Sequence, residues 1–147
     1  MRRVSTAVLV ALAGLFLLVG SAAAHGDEHE SDGHDPGTVD VVEVNGLLDP
    51  VLTEMMAETL RGVDPATMVA VVFQIDSNGA VVDDDALSAL ADLVVSSPVP
   101  VSFWIGPAGA EVTGRAAQLV ALGDDIGISP GSAIGNLGEL SLSTSRF

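Results

Sequence analysis

Three imidazoles lie among carboxylates near the start of the chain. His25, His29 and His34 share residues 25–35 with five acidic side chains. Imidazole nitrogen together with carboxylate oxygen suits zinc or copper, so these histidines are candidate metal ligands. The alternative is a solvated acidic linker, because a polar stretch without supporting hydrogen bonds holds a metal weakly. The sequence leaves both interpretations open.

A run of three aspartates, at positions 83–85, is a second group that resembles a metal cluster. Neighbouring residues of a helix point in different directions, so three carboxylates in a row do not converge on one ion. Carboxylates in the first turn of a helix are stabilised by the helix dipole. We therefore expect these aspartates to begin a helix over residues 83–95.

The segments that would position these side chains alternate between strand and helix patterns. Residues 39–44 have the composition of a strand. Asp49 followed by Pro50 is typical of an N-cap and the first position of a helix, and Gly62 predicts where that helix stops. Residues 68–75 are almost continuously apolar, which predicts a strand buried on both faces.

The second half of the chain continues this alternation. A further helix is expected over residues 109–122, further strands at Val101–Ile105 and Asp125–Ile128, and a glycine-rich loop over residues 130–138. Strands and helices in alternation, with short connections, predict an α/β fold with mainly parallel strands and right-handed crossovers.

The first 24 residues have the pattern of a secretory signal peptide. Two arginines precede an apolar run over residues 7–20, and small residues lead to Ala24, the expected cleavage site. An uncleaved membrane anchor is the alternative, although the run is shorter than the ~20 residues that span a bilayer. Residues 25–38 are expected to form a disordered acidic tether and residues 39–147 one domain. We expect an exported protein, which is periplasmic, secreted or at the cell surface, with membrane association as an alternative.

The overall charge narrows the range of partners. The chain has a formal net charge of -15 and contains no cysteine. Such an acidic surface repels the phosphates of nucleic acids, so nucleic acid is not an expected partner. Without cysteine, an oxidising compartment adds no disulfide, and the fold depends on packing.

Four stretches in order along the chain resemble motifs of one protein family. They are G-L-L-D-P at residues 46–50, I-D-S-N-G-A-V-V at 75–82, S-P-V-P-V-S-F-W-I-G-P-A-G-A at 97–110 and S-P-G-S-A-I-G at 129–135. Together they resemble the NfeD family of membrane-associated, ClpP-class serine proteases. The resemblance implies a ClpP/crotonase-like spiral of β-β-α units, which agrees with the alternation of elements.

The resemblance also implies where a catalytic site would lie. The family's third helix opens G-A-x-A-A-S-A-G with serine as nucleophile, and Gly114 occupies the position of that serine. Thr113 offers a neighbouring hydroxyl, but one helical residue is a ~100° turn, so we expect its side chain to point elsewhere. Gly79 and Ala80 replace the glycine pair of the family's turn that supplies oxyanion-binding N–H groups, so the resemblance implies that this turn is kept only in part. The family's base is lysine, which this sequence lacks, and Arg115 cannot accept a proton at neutral pH.

Both the nucleophile and the base are therefore missing, which predicts a pseudoenzyme. The resemblance implies an exported protease-like domain that binds extended peptides or a partner subunit in envelope protein quality control. The partner subunit would be either a second copy of this chain, in a homo-oligomer, or a subunit of a membrane protein. The first alternative is an active serine-type peptidase completed by another chain. The others are a metal-binding exported protein and a truncated gene remnant, since family members continue into membrane helices and a β-barrel domain.

Overall fold

The computed structural model describes residues 37–143 and Ser145. The elements are β1 (Thr38–Asn45), α1 (Pro50–Arg61), β2 (Met68–Asp76), α2 (Asp84–Ser96), β3 (Val101–Ile105), β4 (Glu111–Thr113), α3 (Gly114–Val120), β5 (Asp125–Ile128) and β6 (Ala133–Gly135). The predicted α/β class with mainly parallel strands is confirmed, since every strand pairing between these elements is parallel.

The main sheet has the strand order β1-β2-β3-β5, so the chain advances across it in one direction. A right-handed crossover places its helix on a fixed side of the sheet. Three crossovers that advance in the same direction therefore place α1, α2 and α3 on the same face. The strands β4 and β6 form a separate two-stranded sheet beside α3.

Burial along the strands follows from this one-sided cover. On β2, Val71, Phe73 and Ile75 are completely buried, whereas the residues between them are half-buried. Phe73 packs against Phe103 of β3 with ring centroids 5.7 Å apart. The prediction that residues 68–75 are buried on both faces is wrong, because the helices cover only one face of the sheet.

The first helix has the ends that its sequence predicts. The Asp49 side chain accepts a hydrogen bond from the Leu52 N–H at 2.9 Å, and Pro50 is the first helical residue. Gly62 caps the carboxyl end. Asp83 caps α2 in the same way by accepting from the Ala86 N–H at 2.7 Å. The aspartates at 83–85 are thus a helix start, and no group of metal ligands occurs within the described residues.

Two predictions for the second half of the chain are wrong. The helix expected over residues 109–122 begins only at Gly114, because Glu111–Thr113 is extended and pairs with Ala133–Gly135. The same pairing places a strand inside the expected glycine-rich loop. Apolar spacing suggested a longer helix, but hydrogen bonding to a segment about twenty residues away decides the local conformation.

The one-sided sheet predicts very different costs for the same substitution on its two faces. Val71→Thr places a hydroxyl in the core and is expected to lower the free energy of unfolding by about 1–3 kcal/mol. Val41→Thr, at an exposed position of β1, is expected to change it by less than ~0.5 kcal/mol. Urea denaturation of both variants measures the difference, and equal costs would show that both faces are covered.

Candidate functional site

A short turn that follows β2 lies at the carboxyl end of the main sheet. The Ser77 N–H donates to the Glu111 carbonyl at 2.9 Å, and the Thr113 N–H donates to the Ser77 carbonyl at 3.1 Å. On its other side the turn is bonded to the loop after β1, where the Leu48 N–H donates to the Gly79 carbonyl at 3.0 Å. These contacts fix residues 77–80 between the β1 loop and β4.

The turn presents two backbone donors. Within the described part of the chain, the N–H groups of Gly79 and Ala80 donate to no acceptor. Gly79 is buried and has a φ of 141°, in the region that favours glycine. The buried hydroxyl of Ser77 donates to the Gly79 carbonyl at 3.0 Å and holds the turn in shape. Ala80 is half-buried, and two adjacent N–H groups without a partner are suited to bind a carbonyl or carboxylate oxygen.

Gly114 faces this turn from the first position of α3. A Cβ atom at Gly114 would lie 3.7 Å from the Gly79 Cα, in ordinary van der Waals contact and with nothing nearer. The structure therefore brings together the two glycines that the sequence singled out. Because Gly114 has no side chain, the space opposite the turn holds no reactive group. Its own N–H donates to the Asn136 carbonyl at 2.7 Å.

Thr113 lies in strand β4 and not on the helix. Its backbone is extended, with φ −135° and ψ 171°, and its side chain makes no capping hydrogen bond. The reason given by the sequence, a helical rotation, is wrong. The expectation that Thr113 points elsewhere stays a prediction.

Arg115 is bound to the start of α2. Its Nη1 donates to the Val82 carbonyl at 2.6 Å, and its Nη2 pairs with the Asp84 carboxylate at 2.6 Å. The guanidinium is half-buried, and its Nε has no hydrogen-bond partner among the described residues. Arg115 therefore fixes α3 to the start of α2, and as a guanidinium it cannot accept a proton at neutral pH.

Gln118 is a residue that the sequence analysis missed. It is completely buried on α3, where its Nε2 donates to the carbonyls of Leu137 and Glu139 at 2.8 Å. Its Oε1 accepts from the N–H groups of Ser141 at 2.9 Å and Leu142 at 3.2 Å. These four bonds hold the C-terminal tail against the helix. An amide side chain within the apolar run A-A-Q-L-V was the available signal.

The same tail passes beside Gly114. Asn136 accepts its N–H, and a Cβ atom at Gly138 would lie 4.0 Å from the Gly114 Cα. We name the space bounded by Gly79, Ala80, Gly114 and Asn136 the glycine site. The free N–H groups of Gly79 and Ala80 can bind a polar backbone group there, and Gly114 itself offers no functional group.

A cavity in the described residues lies elsewhere, in a groove between α1 and α2. It has a volume of about 390 Å³ and a floor that includes Ala57 and Leu90. The Thr53 hydroxyl beside it is buried and has no partner among the described residues. Of the charged residues that line the groove, Glu54 pairs with Arg61 and Asp83 caps α2, so we keep the glycine site as the candidate. The three histidines, His25, His29 and His34, lie outside the described residues.

The fold is that of the ClpP-like serine proteases. A lysine-to-alanine mutant of the membrane-bound stomatin-specific protease 1510-N, in complex with a substrate peptide, superposes with a TM-score of 0.61 at 19% identity. A serine-to-alanine mutant of that protease has a TM-score of 0.60 at 21% identity. The protease from Pyrococcus horikoshii, described as specific for a stomatin homolog, has a TM-score of 0.60 at 19% identity.

These likenesses extend over part of each protein. They cover 67%, 67% and 68% of this chain, but 44%, 47% and 49% of the respective proteases, so the chain spans about half their length. No family model and no curated protein matches the sequence. At this identity the likeness establishes the fold alone. Among the described residues, no helix is both long and apolar enough to cross a membrane.

Removing the Gln118 amide is expected to release the tail. Gln118→Leu leaves four backbone groups without their partner, and one such buried group costs about 1–3 kcal/mol. We expect a loss of at least ~1 kcal/mol in the free energy of unfolding and faster amide exchange over residues 137–142. Gln74→Leu is the matched control, because Gln74 makes no side-chain hydrogen bond to described residues. Equal exchange in the two variants would contradict the assigned role.

The conformation of Gly114 predicts a cost for any side chain there. Its φ is 60°, so Gly114→Ala is expected to lower the free energy of unfolding by about 1–2 kcal/mol through backbone strain, not through a clash. Gly62→Ala serves as the control, because Gly62 has a φ of −84° and tolerates a Cβ. Its expected change lies between zero and a gain of ~1 kcal/mol. A loss at Gly62 as large as at Gly114 would contradict the strain.

Proposed function

We propose that this chain is an exported, ClpP-class serine-protease-like domain of the NfeD type that binds extended peptides or a partner subunit without cleaving them. The role proposed for it is a regulatory or assembly module in envelope protein quality control. The fold of the structural neighbours supports the protease-like class. The glycine site supports binding without cleavage.

One observation carries the proposed lack of catalysis. The position that would hold a nucleophile is Gly114, which faces the Gly79 turn at van der Waals distance and has no functional group. A catalytic serine and its base normally supply several orders of magnitude in rate. The sequence contains no lysine that could act as the base.

The binding part of the proposal is supported by the backbone of the site. The free N–H groups of Gly79 and Ala80 can donate to the carbonyls of an extended peptide, a mode of recognition that needs no catalytic side chain. With a net charge of -15, the domain favours peptides that carry basic flanks. One structural neighbour is described as bound to a substrate peptide, which is consistent with a peptide partner.

The proposed location depends on the sequence and on the neighbours. The signal-like first 24 residues support export with cleavage after Ala24. The neighbours are described as membrane-bound or membrane proteases, which is consistent with association with a membrane. We place the domain outside the cytoplasm, next to a membrane or a membrane protein.

The proposal predicts binding without turnover. The purified chain should not react with a fluorophosphonate probe, and it should bind extended apolar peptides with lysine ends in calorimetric titration. Ala80→Pro deletes one donor and is expected to weaken binding by about 2- to 12-fold, the worth of one hydrogen bond. The bonds that anchor the turn to Leu48 use the Gly79 carbonyl and the Val81 N–H, so proline at position 80 leaves both in place.

Ala80→Ser is the matched control, because it retains the N–H and should bind as the unmodified chain does. Thermal melting of both variants confirms that the turn is intact. Covalent labelling at Thr113 that is abolished by Thr113→Ala would instead establish an active serine-type enzyme. Absence of peptide binding by every form of the chain would refute the proposed binding role.

A further inference from the structure

The main sheet has a second face that no described helix covers. Its side chains follow from the strand register and form three rows. The rows are Val39 and Ala70; Val41, Val72, Ser102 and Asp125; and Glu43, Gln74, Trp104 and Gly127. We name this surface the outer sheet face.

Exposed apolar side chains of the outer sheet face lie on the edge strand β1 and on β3. Val39 is 48% exposed, Val41 is 65% exposed and Trp104 is 41% exposed. Trp104 lies flat against Gly127, where a Cβ atom would come within 2.3 Å of the indole ring. Parallel sheets are almost always covered on both faces, and a contiguous apolar patch of this kind marks an interaction surface.

The edges of this face are acidic. Glu43 on β1 and Asp125 on β5 are exposed, and neither forms an ion pair with a described residue. The two arginines within the described residues, Arg61 and Arg115, are each paired with an acidic side chain of a helix. Face-to-face contact of two copies would bring only carboxylates together at the edges, which opposes self-association.

We propose that the outer sheet face binds an amphipathic helix of a partner protein, with an apolar stripe flanked by lysine or arginine. Strands lie about 4.8 Å apart, so four of them span about 14 Å, while a helix with its side chains is about 10–12 Å across. One helix is therefore wide enough to cover the apolar side chains of β1 to β3 on this face. The long side chains of lysine or arginine reach the acidic edges from either flank of the stripe.

Trp104 is the only tryptophan of the chain and reports occupancy directly. The probe is a leucine–lysine peptide of about 18 residues with the spacing of an amphipathic helix, titrated into the full chain. We expect a saturable, one-to-one blue shift of Trp104 emission, protection of Trp104 from acrylamide, and weaker binding at higher salt. A peptide of the same composition in scrambled order should bind at least ~10-fold more weakly.

A matched pair of variants locates the binding. Val41→Asp introduces a charge into the outer sheet face and is expected to weaken binding by about 10-fold or more. Val51→Asp introduces the same charge on α1, where the side chain is 74% exposed, and is expected to bind as the unmodified chain does. Should Val41→Asp fail to fold, Trp104→Ser gives an independent test of the same face. Because this variant lacks tryptophan, its binding is measured from the fluorescence of a dye-labelled peptide, and we expect it to be weaker than that of the unmodified chain.

Three results would overturn the proposal. The first is peptide binding that survives both Val41→Asp and Trp104→Ser, which would mean attraction to the acidic surface in general. The second is a dimer of the full chain that Val41→Asp dissociates, which would make a second copy the occupant. The third is Trp104 already protected from acrylamide without peptide, which would show that the rest of this chain covers the face. None of these results depends on the glycine site.

Discussion

The order in which the chain adds strands to its main sheet determines where the helices, the core and the loops of the site lie. Each crossover adds the next strand on the same side, and a right-handed connection then leaves its helix on the same face every time. The hydrophobic core consequently forms on one side only, where Phe73 and Phe103 meet. The loops after β1 and β2 and the segment that leads to α3 gather at the carboxyl end of the sheet. No described helix covers the opposite face.

The glycine site is built by backbone hydrogen bonds that are independent of catalytic side chains. Ser77 is bonded to Glu111 and Thr113, and the Gly79 carbonyl is bonded to Leu48, so the turn keeps its shape whatever occupies position 114. The two backbone donors of the turn therefore do not depend on a side chain at position 114. A protein with this arrangement can lose catalysis while it keeps a surface for extended chains, since the two depend on different atoms.

Local signals in the sequence were sufficient for some elements and not for others. The ends of α1 follow from Asp49, Pro50 and Gly62, because capping depends on neighbouring residues. The start of α3 does not, because strand β4 is stabilised by β6 about twenty residues away. One-sided burial of β2 depends on strand order, which its composition does not encode. The meeting of Gly79 and Gly114 was expected only through a family resemblance, and the four bonds of Gln118 required the tail to be placed first.

The hydrogen bonds between Gln118 and the C-terminal tail also determine which segment of the domain detaches first. Four hydrogen bonds converge on the single Gln118 side chain, and Leu142 is the buried anchor beyond them. Bonds that share one partner are lost together, so residues 137–142 should detach as one cooperative unit while the main sheet stays folded. We then expect Gly114 to become accessible by local unfolding of this segment, which costs much less free energy than global unfolding. We expect the free energy of detaching the segment beside Gly114 to depend on the bonds of Gln118 and on the burial of Leu142.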